Sequence, residues 1–450
     1  MFKTHRTMLL LAFALAGCTV HPVGERQERA LSDNAGAAYQ QPVDKRELPA
    51  LAPDASPDQL VAYALLSSGD IEQAYWQWRS ALEQVPQEGT QKANVMLSYS
   101  AMISNGETAL EMNTLGLGND TMNNIMLPDK LRTAATAALD NARAAGIRFD
   151  KARFELRAKV LAACGDYAQS AENIRLDQAN IDLLDLIQRL TQSRLSTGAA
   201  AQADVLRASN ERDMAKNELA AEQAKLPQEL AAINALMNRP ADAPLAPPAA
   251  LPKLQALPGD GADLLALAAK NNPELQALAA EAASKRISVI RAKQDYWPDF
   301  SINATSDLAG TTQSLMGSLA LPYLRYQALD AAIRQARADL HASVAMRRQT
   351  ASDLSARVMS DLAQIHDADR QIDLFENTLL PRAREIVAGL QRTYTAGQSS
   401  MLDLLDAQRS QIALRRMLAD LRTTREKQRA DLEAAAGLGM ARRATDTVGN

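Results

Sequence analysis

The sequence predicts a mainly α-helical chain that also contributes four β-strands to a membrane β-barrel. Three observations carry this prediction. Stretches free of helix breakers hold apolar residues at helical spacing, short stretches before them alternate apolar and polar residues, and one passage is written twice. Thr197-Gly198 through Asp204 to Ala208 is matched by Ala396-Gly397 through Asp403 to Ala407, 199 residues on, and both copies read G-x5-D-[VL]-L-x-A. The register holds without a gap until Leu236-Met237-Asn238-Arg239-Pro240 lies over Ala435-Ala436-Gly437-Leu438-Gly439. A duplication of this length makes two equivalent halves, not a solenoid of short units.

The N-terminus reads as a processing signal over residues 1–17. Lys3 and Arg6 precede an apolar run, Met8 to Ala16, that is too short to span a bilayer, and the lipobox Leu15-Ala16-Gly17-Cys18 follows. Cys18 is therefore the expected lipidation site and mature N-terminus. Thr19 stands where an Asp would retain a lipoprotein at a bacterial inner membrane, so outer-membrane sorting is expected. Loss of Lys3 and Arg6 takes the 49 basic residues to 47 against 53 acidic ones, a net charge of about −6 that offers nothing to a nucleic acid. Only Cys164 then remains as a free thiol, which excludes an internal disulfide; a buried small apolar role is expected for it.

The 450 residues include only six Phe, nine Tyr and three Trp, an aromatic-poor composition typical of long helices packed side by side. Residues 18–57 carry Pro22, Pro42, Pro49, Pro53 and Pro57 and read as a mostly extended linker. The first half is expected at 58–239, a Pro/Ala linker at 240–258, the second half at 259–440 and a tail at 441–450. No proline falls between Asp129 and Leu226, and neither proline nor glycine between Tyr323 and Leu380. Leu183, Ile187 and Leu190, like Leu414, Leu418 and Leu421, have the spacing of packed helices. Gly198 and Gly397 mark turns between a long helix and a returning one. Pro227 and Pro381 are expected to kink or interrupt their helices.

Strand periodicity appears ahead of each long helix. Val95, Leu97, Tyr99, Ala101 and Ile103 alternate with polar positions, as do Phe300, Ile302 and Ala304, and Leu315, Leu319 and Leu321 share a face. A weaker fourth candidate is Thr121 to Leu127. Both later strands end in Leu-Pro, at Leu127-Pro128 and Leu321-Pro322. In an exported lipoprotein such strands are the signature of a transmembrane barrel, and a small soluble sheet packed on the helices is the competing reading. Since the smallest barrels have about eight strands, four per chain require several copies to close one.

Together the doubled motif, the Asn238-Arg239-Pro240 and Gly437-Leu438-Gly439 helix ends and the strand-Leu-Pro-helix passages resemble the TolC-like outer-membrane efflux proteins, over roughly residues 57–440. The lipidated cysteine is similar to that of the lipoprotein members. This resemblance implies a homotrimer with a twelve-stranded barrel above an α-helical periplasmic tunnel, serving as the exit duct of a tripartite efflux system. Its partners would be an inner-membrane pump and a periplasmic adaptor docking at Thr197, Gly198, Ala396 and Gly397. A type I protein-secretion duct would use the same fold. A pore-less coiled-coil adaptor is the alternative from another class, disfavoured by two equivalent hairpins and no lipoyl-like module.

Asp403 and Asp406 stand three apart on one helix face. Read from the residues alone they are a solvated acidic helix start, favoured by the macrodipole. The resemblance implies instead that they line a periplasmic gate, as carboxylate rings around the trimer axis. It also implies that Asp204 and Tyr394 tie neighbouring helices together in the closed state. The arginine that the family carries two residues after the second glycine is Ser399 here, which leaves Arg392 or Arg207 as substitutes. Met96, Met102, Met112, Met122 and Met126 have thioethers suited to Cu(I), although gap-filling and chance explain them better. His5, His21, His341 and His366 are scattered, and no HExxH, CxxC, P-loop or nucleophile elbow occurs, so neither an enzyme nor a cofactor is expected.

Overall fold

In a computed structural model, residues 19–91, 94–104, 107–118, 126–307 and 313–440 are described. The chain runs α1 (Glu25–Ala35), α2 (Pro57–Ser67), α3 (Gly69–Gly89), β1 (Asn94–Ser104), β2 (Glu107–Gly118), α4 (Pro128–Ser196) and α5 (Gln202–Leu236). It continues with α6 (Gly261–Asn271), α7 (Pro273–Gln294), β3 (Asp299–Asp307), β4 (Gln313–Ala320), α8 (Tyr326–Leu374), α9 (Leu380–Thr395) and α10 (Met401–Ala435). The order short helices, two strands, long helix, turn, returning helix thus occurs twice.

Helix α4 is one unbroken helix of 69 residues, about 100 Å at 1.5 Å per residue. Pro128 opens it at its first turn, where the missing N–H costs nothing. Its partners change along its length: α3 and α7 pack on it, as do α5 and α10. α8 packs against α7, α6 and α10. Cys164 is buried in α4, and burial pushes its thiol up to about 12, which keeps it protonated and inert.

The largest buried cluster lies where α3 crosses α4. Tyr75 and Trp78 are fully buried, the Trp78 and Phe149 ring centroids are 5.8 Å apart, and Tyr39 stands edge-on to Phe149 at 6.0 Å. Gly36 passes so close to the Tyr75 ring that a Cβ there would lie 1.8 Å from it.

That contact corrects the expectation of an extended N-terminal linker. The segment forms α1 and two short 3-10 turns, Ala37–Gln40 and Val43–Lys45, and lies against the helices. Arg29 joins Glu25 (2.9 Å) to Glu83 of α3 (2.7 Å), and the buried Arg46 reaches Glu72 (2.7 Å) and the Leu66 carbonyl (2.9 Å). The reason is visible in the spacing of breakers, since Pro22 and Pro42 leave nineteen residues free of proline between them. Thr19 bridges to Thr90, just ahead of β1. Cys18 and the signal segment lie outside the described residues.

The four strands form one antiparallel sheet in the order β1-β2-β3-β4. β1, β3 and β4 fall where alternation predicts them. The expected strand Thr121 to Leu127 lies largely outside the described residues, and the second strand is β2, Glu107–Gly118. Its apolar alternation changes phase, from Leu110 and Met112 to Leu115 and Leu117, which hides the period of two. A register shift between Met102 and Ile103 adds a bulge where β1 pairs with β2. Every residue of β4 is exposed, and β1 and β4 are the two edges of the sheet. Lys130, 3% exposed at the start of α4, clamps the sheet to the helices by donating to the Trp297 carbonyl (3.1 Å) and Asp299 Oδ1 (2.7 Å).

The two prolines behave differently. α5 runs on through Pro227 without interruption. Pro381 opens α9 directly after a π-helical stretch, Phe375–Leu379, which breaks the regular ladder between α8 and α9. A wider turn ahead of a proline relieves the carbonyl that the missing N–H would have served. The 240–258 connection has no helix, yet it docks: Tyr167 Oη donates to the Leu245 carbonyl (2.8 Å) and Ala246 N to the Pro53 carbonyl (2.8 Å).

Trp78 fills the junction of α3 with α4. Trp78→Ala should lower stability by about 3–5 kcal/mol, measured as a lower denaturation midpoint in detergent.

Candidate functional site

Two turns close the hairpins α4–α5 and α9–α10, and both have the same geometry. Gly198 and Gly397 adopt φ of 75° and 79°, a left-handed conformation that glycine reaches without strain. In the first turn Gly198 N donates to the Leu195 carbonyl (3.0 Å) and Ala199 N to that of Arg194 (2.8 Å). In the second, Gly397 N donates to Tyr394 (3.0 Å) and Gln398 N to Thr393 (2.8 Å). The returning helices start at equivalent residues, and each is 35 residues long. Asn238 and Gly437 end them in the same left-handed way, at φ of 53° and 63°.

Helix starts differ in chemistry. At α10, Ser400 Oγ accepts from Asp403 N (3.1 Å), an N-cap. At α5 the cap position is Ala201, which has no acceptor, and Asp204 bonds back to the Ala201 N–H (3.3 Å) instead. Asp204 also lies 3.6 Å from Arg207. Both of its described partners are therefore on its own helix start. Asp403 and Asp406 are exposed on the protomer, beside the buried Met401, Leu404 and Leu405.

Tyr394 is placed between hairpins. It is 3% exposed, its hydroxyl is bonded to Thr191 Oγ1 of α4 (2.9 Å), and its carbonyl accepts from Arg194 Nη1 (2.6 Å). Ile181, Leu184 and Ile187 of α4 complete an apolar cluster with Ala208, Tyr394, Met401 and Leu404. Among the described residues neither substitute arginine crosses: Arg392 donates to its own Ala388 carbonyl (3.2 Å) and Arg207 faces Asp204. Ser399 bonds locally to Thr393 (3.0 Å). The described residues of α4 that cross to Tyr394 by hydrogen bonds are Arg194 and Thr191. The sequence signal of Arg194 is a basic side chain in the last turn of a helix that ends at glycine, and Thr191 has none.

Above the turns α10 is held to α4 and α5 by charge. Arg409 pairs with Glu211, and seven residues on Arg416 pairs with Glu218 (2.9 Å) and with Asp177. Asp177 is 1% exposed, so burial pushes its carboxyl above the usual range while Arg416 opposes the shift. A cleft of about 280 Å³ lies between these helices, lined by Asn180, Glu211, Glu218, Gln408, Arg409 and Arg416 among others. Among the described residues no group of three or more His, Cys, Asp or Glu is arranged to hold a metal. Met96 is half-exposed on β1, and Met102, Met112 and Met122 belong to stretches whose side chains lie outside the description.

Residues 264–438 match the family model described as outer membrane efflux protein. The resemblance read from the sequence is upheld. The fold agrees with those of solved outer-membrane channels. The MtrE outer membrane channel of Neisseria gonorrhoeae, solved in its open state, is 21% identical, with a TM-score of 0.74 over 87% of this chain and 91% of that one. The outer membrane protein VceC of Vibrio cholerae is 18% identical, with a TM-score of 0.73 over 85% and 96%. CusC, studied for folding and transmembrane channel formation, is 17% identical, with a TM-score of 0.74 over 85% and 92%. No curated protein matches the sequence.

The turns predict a graded response to substitution. Nothing lies within 4 Å of a Cβ at Gly198, so Gly198→Ala carries only the backbone cost, about 1 kcal/mol. Gly198→Asn should cost less, since Asn already occupies that conformation at position 238. Faster amide hydrogen exchange at residues 197–201 in the Ala variant, with the Asn variant between it and wild type, is the expected outcome.

Proposed function

We propose that this chain is the outer-membrane exit duct of a tripartite efflux system, conducting substrates passively from an inner-membrane pump through a periplasmic adaptor. The observation that carries the reading is a four-stranded sheet, exposed throughout β4 and open at both edges, set on the end of a helix about 100 Å long. In hydrocarbon the unpaired backbone groups of β1 and β4 have no water to bond, so the edges must be joined by further copies. Three copies give twelve strands. Lipidation at Cys18 would add an anchor beside the start of β1, where Thr19 is held against Thr90.

The turns at Gly198 and Gly397 present similar backbone at the far end of the long helices, and we assign them to adaptor docking. Asp403 and Asp406 we assign to the gate. Their exposure on the protomer and their place directly after the second turn support this reading, because a carboxylate ring needs side chains free of a packed core. The bonds of Tyr394 to α4 support its role as a closed-state link. Asp204 supports that role less, since its described partners are local.

Two measurements test the reading. Crosslinking in detergent should give a single closed species of three chains; a stable monomer or dimer would reject the twelve-stranded assembly. In planar bilayers, replacing Asp403 and Asp406 together with Ala should raise conductance, weaken cation selectivity and reduce block by multivalent cations. Stability should change by less than about 0.5 kcal/mol, as for other exposed surface positions. A double variant electrically identical to wild type would remove the gate assignment and leave the duct in place.

A further inference from the structure

One side chain bridges the two turns. Arg194, in the last turn of α4, donates from Nη1 to the Tyr394 carbonyl (2.6 Å) and from Nη2 to the Ala199 carbonyl (3.2 Å). Its guanidinium carbon lies 4.7 Å from the centroid of the Tyr394 ring. One helical turn earlier, Thr191 binds the hydroxyl of the same tyrosine (2.9 Å). α4 therefore grips Tyr394 at both its main chain and its phenol. The gripped carbonyl is also the acceptor for Gly397 N, so the contact bears directly on the left-handed turn.

The chemistry requires arginine. A planar fork bonds two carbonyls in different directions while its face lies on an aromatic ring, whereas a lysine ammonium is a compact point charge without that shape. The position equivalent to Arg194 in the second hairpin is Thr393, whose hydroxyl bonds its own helix and Ser399. Within one chain the bridge thus runs in a single direction, from the first hairpin to the second.

We propose that Arg194 is the positioning residue that holds the second turn against the first and thereby sets the resting separation of the helix starts bearing Asp403 and Asp406. The proposal rests on the channel reading. In the absence of an arginine at position 399, Arg194 supplies the link between the turns, a role that neither Arg392 nor Arg207 fills here.

The test uses the full-length protein with Arg194→Ala, Arg194→Lys and Tyr394→Phe, each compared with wild type by amide hydrogen exchange and in planar bilayers. Arg194→Ala should speed exchange at Gly397 and Gln398 and raise conductance. Cation selectivity should stay unchanged, because the Asp403 and Asp406 carboxylates remain. Arg194→Lys should recover only part of both effects. Tyr394→Phe, which keeps the ring and the carbonyl, should move both readouts in the same direction by less. Wild-type exchange in Arg194→Ala overturns the bridge itself. Faster exchange with unchanged or lower conductance overturns its control of the aperture. If wild-type protein conducts no ions, the channel reading falls, and the exchange result still decides whether Arg194 holds the turn. Should Arg194→Ala fail to assemble, the Tyr394→Phe and Arg194→Lys pair decides by the same criteria.

Discussion

Much of this chain is arranged along one continuous backbone, the 69 residues of α4, on which α3, α5, α7 and α10 pack. A helix of that length cannot be stabilised by a single compact core, because no one partner reaches along it. It is buried instead by a succession of neighbours: α3 and α7 pack on it, and so do α5 and α10. Each of these must arrive at its own stretch of α4 with an apolar stripe in phase, and α8 is covered in turn by α6, α7 and α10. The aromatic cluster around Phe149 and the aliphatic cluster around Leu184 are separate solutions to the same problem.

Much of this was legible because the relevant signals are local. A proline-free run announces α4, and Gly198 and Gly397 announce turns because the left-handed conformation excludes most side chains. β1, β3 and β4 keep a clean period of two. β2 does not, since its alternation shifts between Met112 and Leu115, and a strand whose phase changes has no local signature. The N-terminal segment departs from its local signals for a related reason. Its prolines suggest extension, but α1 sits in the gap between them, and its hold on the body depends on long-range partners, Glu83 for Arg29 and Tyr75 for Gly36.

The candidate site divides along the same line. Asp403, Asp406 and Tyr394 are singled out by the family resemblance, which attaches roles to fixed positions around a glycine turn. Arg194 is not, because its importance lies in what it reaches, a carbonyl 200 residues away in sequence. Asp204 is the reverse case: the resemblance singles it out as a link between helices, and its described partners lie on its own helix start, where it stands in for a capping side chain that Ala201 lacks. Position in a motif identifies where a residue stands, and only packing decides which way it faces.

The sheet has one further property, which follows from parity. Its strands alternate direction from β1 to β4, so the two edges run opposite to each other. In the proposed assembly a rotated copy would therefore present its first strand antiparallel to the last strand of its neighbour, and the seam would have the same hydrogen-bond pattern as the interior. With three or five strands per chain every seam would be parallel, which leaves each boundary chemically distinct from the strands within. An even count makes the boundary between subunits invisible to the ladder, so that a closed wall built from separate chains is, along its backbone, a single uninterrupted surface.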